Sequence, residues 1–155
     1  MLVDNDWQTQ LIIIGQVILA MILGGLIGFE RELANKPAGF RTHTLVAGAS
    51  ALFMAVAAAS ENYLHLSGTV TIDPLRVAAA IVTGVSFLGA GTIFRSGGDN
   101  SKVGGLTTAA TIWTAAAVGL AVALGQLIAA IGVTILALIV LRGMFILERR
   151  RRSNS

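Results

Sequence analysis

GFERELANKPAGFRTHTLV, Gly28–Val46, decides how this sequence folds. Before it runs LIIIGQVILAMILGGLIGF, Leu11–Phe29, and its last residues open TLVAGASALFMAVAAA, Thr44–Ala59; neither stretch contains a charge. Glu30, Arg31, Glu32, Lys36, Arg41 and His43 are crowded between them. Apolar runs of roughly 18 residues or more can each cross a hydrocarbon layer of about 30 Å. The segment therefore reads as a charged connection between two membrane spans.

The rest of the chain repeats the theme. Of 155 residues, 55% are hydrophobic and 12% charged, with 18 glycines and two prolines, and the mean hydropathy is +0.79. That balance is far from a soluble domain and reads as one all-α polytopic membrane domain. Five helical spans are expected, at about Leu11–Phe29, Thr42–Ala59, Pro74–Phe94, Gly105–Ala123 and Gln126–Leu147, each about 27 to 33 Å long. They compose a transmembrane domain over residues 1–148, followed by a basic tail, 149–155.

The basic residues orient the spans. Arg31, Lys36 and Arg41 lie in the first connection, Arg95 and Lys102 in the third, and Arg149 to Arg152 in the tail; the N-terminus, Ser60–Asp73 and the turn near Gly125 carry none. By the positive-inside rule the N-terminus is outside, and the first and third connections and the C-terminus are cytoplasmic. MLVDNDWQTQ lacks a basic region ahead of its apolar run, so the first span is expected to be retained and not cleaved as a signal peptide.

Several function classes are excluded at this level. With no cysteine there is no disulfide, zinc-thiolate site or thiol nucleophile. A sequence pI near 10.2 invites a nucleic-acid reading, but the cations flank apolar runs as topology signals and form no phosphate-reading face. The glycines around Arg95 and Lys102 lack the order of a phosphate-binding loop. Ser50 has no histidine beside it at membrane depth, and two isolated histidines make poor metal ligands, so neither catalysis nor a cofactor is expected.

Local signals add detail. Asp73-Pro74 is a helix start, with Asp as N-cap and Pro in the first turn, and Arg76 sits where it can pair with Asp73. Ala20, Gly24 and Gly28, like Ala80 and Gly84, recur every four residues, giving small faces for close helix contact within the chain or in a homo-oligomer. Thr107, Thr111 and Thr114, with Gln16, Thr83 and Ser86, supply the polar content of the spans and read mainly as packing contacts. No Asp or Glu lies mid-span, which argues against an ion path through the membrane.

Three blocks, GGLIGFERELANKPAGFRTHTLVAGASALF (Gly24–Phe53), DPLRVAAAIVTGVSFLGAGTIF (Asp73–Phe94) and VGGLTTAATIWTAAAVGLAVALG (Val103–Gly125), resemble the membrane domain of the MgtC/SapB family. The resemblance implies a multi-pass protein of the bacterial inner membrane associated with growth at low magnesium, survival inside host cells or in acid, and control of the ATP synthase. Family members of the MgtC type continue into a soluble cytoplasmic domain, whereas this sequence stops at RRRRSNS and fits the shorter SapB-like branch. Some relatives have Asn where Thr107 stands.

The expected function is adaptation to low magnesium or acid by binding membrane-protein partners within the lipid bilayer; the alternative is an oligomeric transporter or channel for Mg²⁺ or protons. The two carboxylates, the turn and the Thr-His-Thr cluster of the opening segment exceed what a topology anchor needs. The expected functional surface comprises Glu30, Arg31, Arg41, Thr42 and His43, joined by Arg95 and by Arg142, whose guanidinium is expected to snorkel to the surface or to meet Glu30. Asp73, Arg76 and Thr107 are further candidates, and Gly24, Gly28 and Gly84 are the packing candidates.

Overall fold

The computed structural model describes residues 7–67, 73–95 and 103–153, with side chains described for 7–60, 73–94 and 103–143. Five helices follow in order: α1 (Trp7–Leu33), α2 (Phe40–Ser67), α3 (Pro74–Ala90), α4 (Leu106–Ala123) and α5 (Leu127–Ser153). A two-residue antiparallel ladder, β1 (Phe94–Arg95) with β2 (Val103–Gly104), joins α3 to α4. Trp7–Leu33, Phe40–Ser60 and Leu106–Ala123 are long and apolar enough to cross a membrane; Pro74–Ala90 and Leu127–Gly143 are shorter apolar helical segments.

The expected spans and the helices coincide in order and centre. The ends differ where polarity misled the reading. α2 continues through Ser60 to Ser67, and α5 runs to Ser153, so Arg149 to Arg152 continue the last helix. Helical hydrogen bonding is indifferent to whether a turn is apolar, so a helix can outrun its greasy segment.

α1, α2 and α4 form the kernel. Ala20, Leu23 and Ile27 of α1 meet Ala47, Ala51 and Met54 of α2, and Ala115, Val118 and Val122 of α4 close the core. Small residues let the backbones touch. A Cβ added at Gly24 would lie 2.7 Å from the His43 carbonyl oxygen, and one added at Gly119 would collide with the Ala47 carbonyl. The small face of α1 is thus used inside the chain. That of α3 is not, because a Cβ on Gly84 would meet no described atom within 4 Å.

Caps fix the connections. Asp73 Oδ1 accepts from the Leu75 amide at 3.0 Å and Pro74 occupies the first turn of α3, as the sequence indicates. Arg76 Nε lies 3.6 Å from Asp73 Oδ2 on an exposed surface. Gly105, at φ +86, starts α4; its left-handed backbone sits against the Thr92 carbonyl, where a side chain has no room.

Candidate functional site at the charged loop

The loop between α1 and α2 is built by its own backbone. Asn35 adopts φ 52, and the amides of Asn35 and Lys36 donate to the carbonyls of Glu32 and Arg31, both at 3.0 Å. That is a Schellman ending with asparagine at the left-handed position. Glu32 then reaches across the turn, its Oε2 accepting from the Phe40 amide at 2.9 Å, and so caps α2 from outside the helix. Gly39 makes this contact possible, since a Cβ there would lie 2.8 Å from Glu32 Oε2.

Two charged side chains turn inward. Glu30 and Arg31 are 7% and 4% exposed, and both Nε and Nη2 of Arg31 engage Glu30 Oε2. Burying one charge alone is costly, and pairing adjacent opposite charges offsets part of that cost. The expected meeting of Glu30 with Arg142 is therefore replaced by a pair with Arg31. Arg142 is exposed and, with Glu30, lines a cavity of about 510 Å³ between α1 and α5.

His43 corrects the expectation more sharply. Instead of lying at the surface it is 0% exposed. Its Nδ1 lies 2.9 Å from the Gly39 carbonyl oxygen, and its Nε2 lies 2.9 Å from Thr111 Oγ1 on α4. Thr111 Oγ1 is in turn 2.9 Å from the Thr108 carbonyl. Gly28 of α1 abuts the ring's own Cβ, where an added Cβ would stand at 2.8 Å. One imidazole thus ties the loop, α1, α2 and α4 together.

The remaining candidates divide. Arg41 and Thr42 are exposed at the start of α2, as is Lys36 in the turn. Thr107 is exposed at the start of α4. Arg95 lies in β1, and its side chain, like Lys102, falls outside the described residues. Asp73 and Arg76 sit at the start of α3, and the described contacts do not join them to the loop. Thr83, Ser86 and Thr114 each donate to a carbonyl four residues back in their own helix at 2.7 to 2.8 Å, so these hydroxyls are satisfied locally and join no second helix. Gln16 instead reaches across to the Ala123 carbonyl at 3.3 Å. Sequence reasoning missed Thr108, Glu32 as a cap and Asn35 as a helix terminator; only asparagine just after an apolar helix is a signal visible in sequence.

Known proteins are similar to this sequence. The pattern that defines the MgtC family matches residues 17–150. "Putative magnesium transporter YhiD" of Escherichia coli (strain K12) is 43% identical over 126 residues, 81% of this chain and 57% of that protein. Protein SapB of Bacillus subtilis (strain 168) is 38% identical over 120 residues, 77% of this chain and 51% of that protein. Protein MgtC of Brucella abortus (strain 2308) is 50% identical over 102 residues, 64% of this chain and 37% of that protein. This chain spans about half the length of the first two of these relatives and less of the third. No solved structure matches. With the family pattern running through α2, α3 and α4 in full and through most of α1 and α5, the chain belongs to the MgtC family.

Proposed function

We propose that this protein serves magnesium homeostasis from the bacterial inner membrane, crossing it five times with the N-terminus outside, and that it acts by docking other membrane proteins at the charged loop. The observation that carries the reading is the loop's construction. Its turn is held by Asn35 and Glu32, and its inward charges are settled by the Glu30–Arg31 pair. The side chains of Lys36 and Arg41 remain exposed, with no hydrogen bond or ion pair among the described residues. A fixed backbone presenting uncommitted cations suits recognition of an acidic partner surface. The proteins named MgtC and the magnesium transport in the YhiD name support the physiological side. The ATP synthase implied by the family resemblance is the first partner to test.

The YhiD name also favours a second reading, passage of Mg²⁺ or protons by an oligomer. The contact of backbones at Gly24, Ala47 and Gly119 closes the seam between α1, α2 and α4 to a hydrated ion, so on that reading the path would run between copies. Purified protein in sealed liposomes should pass neither Mg²⁺ nor H⁺. In cells, Arg41→Ala with Lys36→Ala should abolish the growth effect at low magnesium and the crosslinks to membrane partners, at normal membrane level. Ion flux in liposomes, or full activity of the double variant, would overturn the docking reading.

A further inference from the structure

Between α1 and α5 lies a trough that changes character along its length. Its wider part, about 510 Å³, is lined by Leu26, Phe29 and Glu30 of α1 and by Ile135, Leu138, Ile139 and Arg142 of α5. A second cavity of about 170 Å³ is lined by Glu30, Leu33, Ala34 and Arg142. Glu30 and Arg142 line both, so the two cavities adjoin at this pair of residues. Leu26, Phe29, Glu30 and Leu33 stand at i, i+3, i+4 and i+7, and so do Ile135, Leu138, Ile139 and Arg142. Two matched helix faces thus present an apolar wall that ends in charge.

The charge at that end is positive. The Glu30 carboxylate is spoken for, because Arg31 engages it through Nε and Nη2. The Arg142 side chain has neither hydrogen bond nor ion pair among the described residues. An arginine in an otherwise apolar helix segment is expensive unless something satisfies it, and a guanidinium matches the two oxygens of a phosphate in a fork.

We propose that this trough binds an anionic phospholipid drawn from the surrounding bilayer, with the phosphate at Arg142 and an acyl chain along Leu26, Phe29, Ile135, Leu138 and Ile139. The match is complementary at both ends. A free anion gains nothing from the apolar wall, and an uncharged lipid leaves Arg142 unsatisfied. The site is separate from the exposed Lys36 and Arg41, so it stands whether or not the docking reading does.

The test uses the full chain purified in detergent, with bound lipid counted by native mass spectrometry after addition of equal phosphatidylglycerol and phosphatidylcholine. The wild type should retain phosphatidylglycerol about tenfold over phosphatidylcholine, the scale of one charge-assisted contact. Arg142→Gln should abolish the preference, Arg142→Lys should keep part of it, and Leu138→Trp, which fills the trough, should reduce retention of both lipids with Arg142 intact. Lys36→Ala with Arg41→Ala should leave the preference unchanged. Equal retention of both lipids by the wild type overturns the proposal, as does a phosphatidylglycerol preference in Arg142→Gln. Competition by glycerol phosphate as effective as by the intact lipid would reveal a free-anion site and overturn it too. If Arg142→Gln does not fold, Arg142→Lys and Leu138→Trp carry the test, and wild-type behaviour in both overturns the proposal.

Discussion

His43 Nε2 on α2 and Thr111 Oγ1 on α4 are hydrogen-bonded at 2.9 Å across a separation of 68 residues. The partners fix what the protons can do. Gly39 offers only a carbonyl, so Nδ1 carries a hydrogen and donates it. Thr111 has one hydroxyl proton and two neighbours able to take it, Nε2 of His43 and the carbonyl of Thr108. It either donates to Nε2 of a neutral ring, or donates to Thr108 while accepting from a doubly protonated one.

Removing that hydroxyl should therefore cost stability out of proportion to its size. Thr111→Val keeps the shape but strands a buried ring nitrogen, and a loss of about 1–3 kcal/mol is expected in thermal unfolding in detergent. Thr111→Ser should restore most of it. A valine variant that melts like the wild type would remove the bond from the account of the fold.

The glycines should separate by location, not by motif. Gly24→Leu and Gly119→Ala place atoms against the backbones of α2, and each should destabilise by about 1–3 kcal/mol or more. Gly84→Ala should leave the isolated chain as stable as the wild type, because an added Cβ meets no described atom within 4 Å. Loss of a native oligomer in that variant alone would show that α3 packs against another copy.

At Asn35 the backbone sets the choice of residue. With φ at 52, Asn35→Gly should be neutral or mildly stabilising, whereas Asn35→Val should cost about 1–2 kcal/mol. Glu32→Ala, which strips the Phe40 amide of its acceptor, should cost about 0.5–2 kcal/mol. Limited proteolysis between α1 and α2 reports both. Unchanged cleavage in Asn35→Val and Glu32→Ala would mean that the turn is held by something else.

Orientation is open to direct labelling, since the chain has no cysteine and any introduced one is unique. Cysteines at Lys36, Lys102 and Ser155 should react only from the cytoplasm, and those at Asn5, Ser67 and Gly125 from outside intact cells. Labelling at Lys36 by an impermeant reagent added outside would invert the proposed topology.

Helix order and centres were legible because hydropathy and basic residues act locally, as were the Asp73 cap and the Arg76 ion pair within one turn. The inward turn of His43 was not. Its burial depends on Gly28 and Thr111, which lie on other helices, and a polar cluster beside a charged loop looks the same in sequence whether it faces in or out. Of the two places expected for the Arg142 guanidinium, the meeting with Glu30 is not realised, because Arg31, the next residue in the chain, takes that carboxylate. The short β1–β2 ladder left no sequence signal beyond glycines at the connection.

The sparse packing of α3 has a consequence for the order in which a ribosome delivers the chain. α1 and α2 share the largest helix contact and can close on each other as soon as Phe40–Ser60 has been made. α3 emerges next, but it packs more extensively on α4 than on α2, and α4 comes later. The Nε2 of His43 must likewise wait for Thr111. If the helices assemble in chain order, the α1–α2 hairpin leaves one nitrogen of the His43 ring without its partner beside a loosely held third helix, and arrival of α4 resolves both at once.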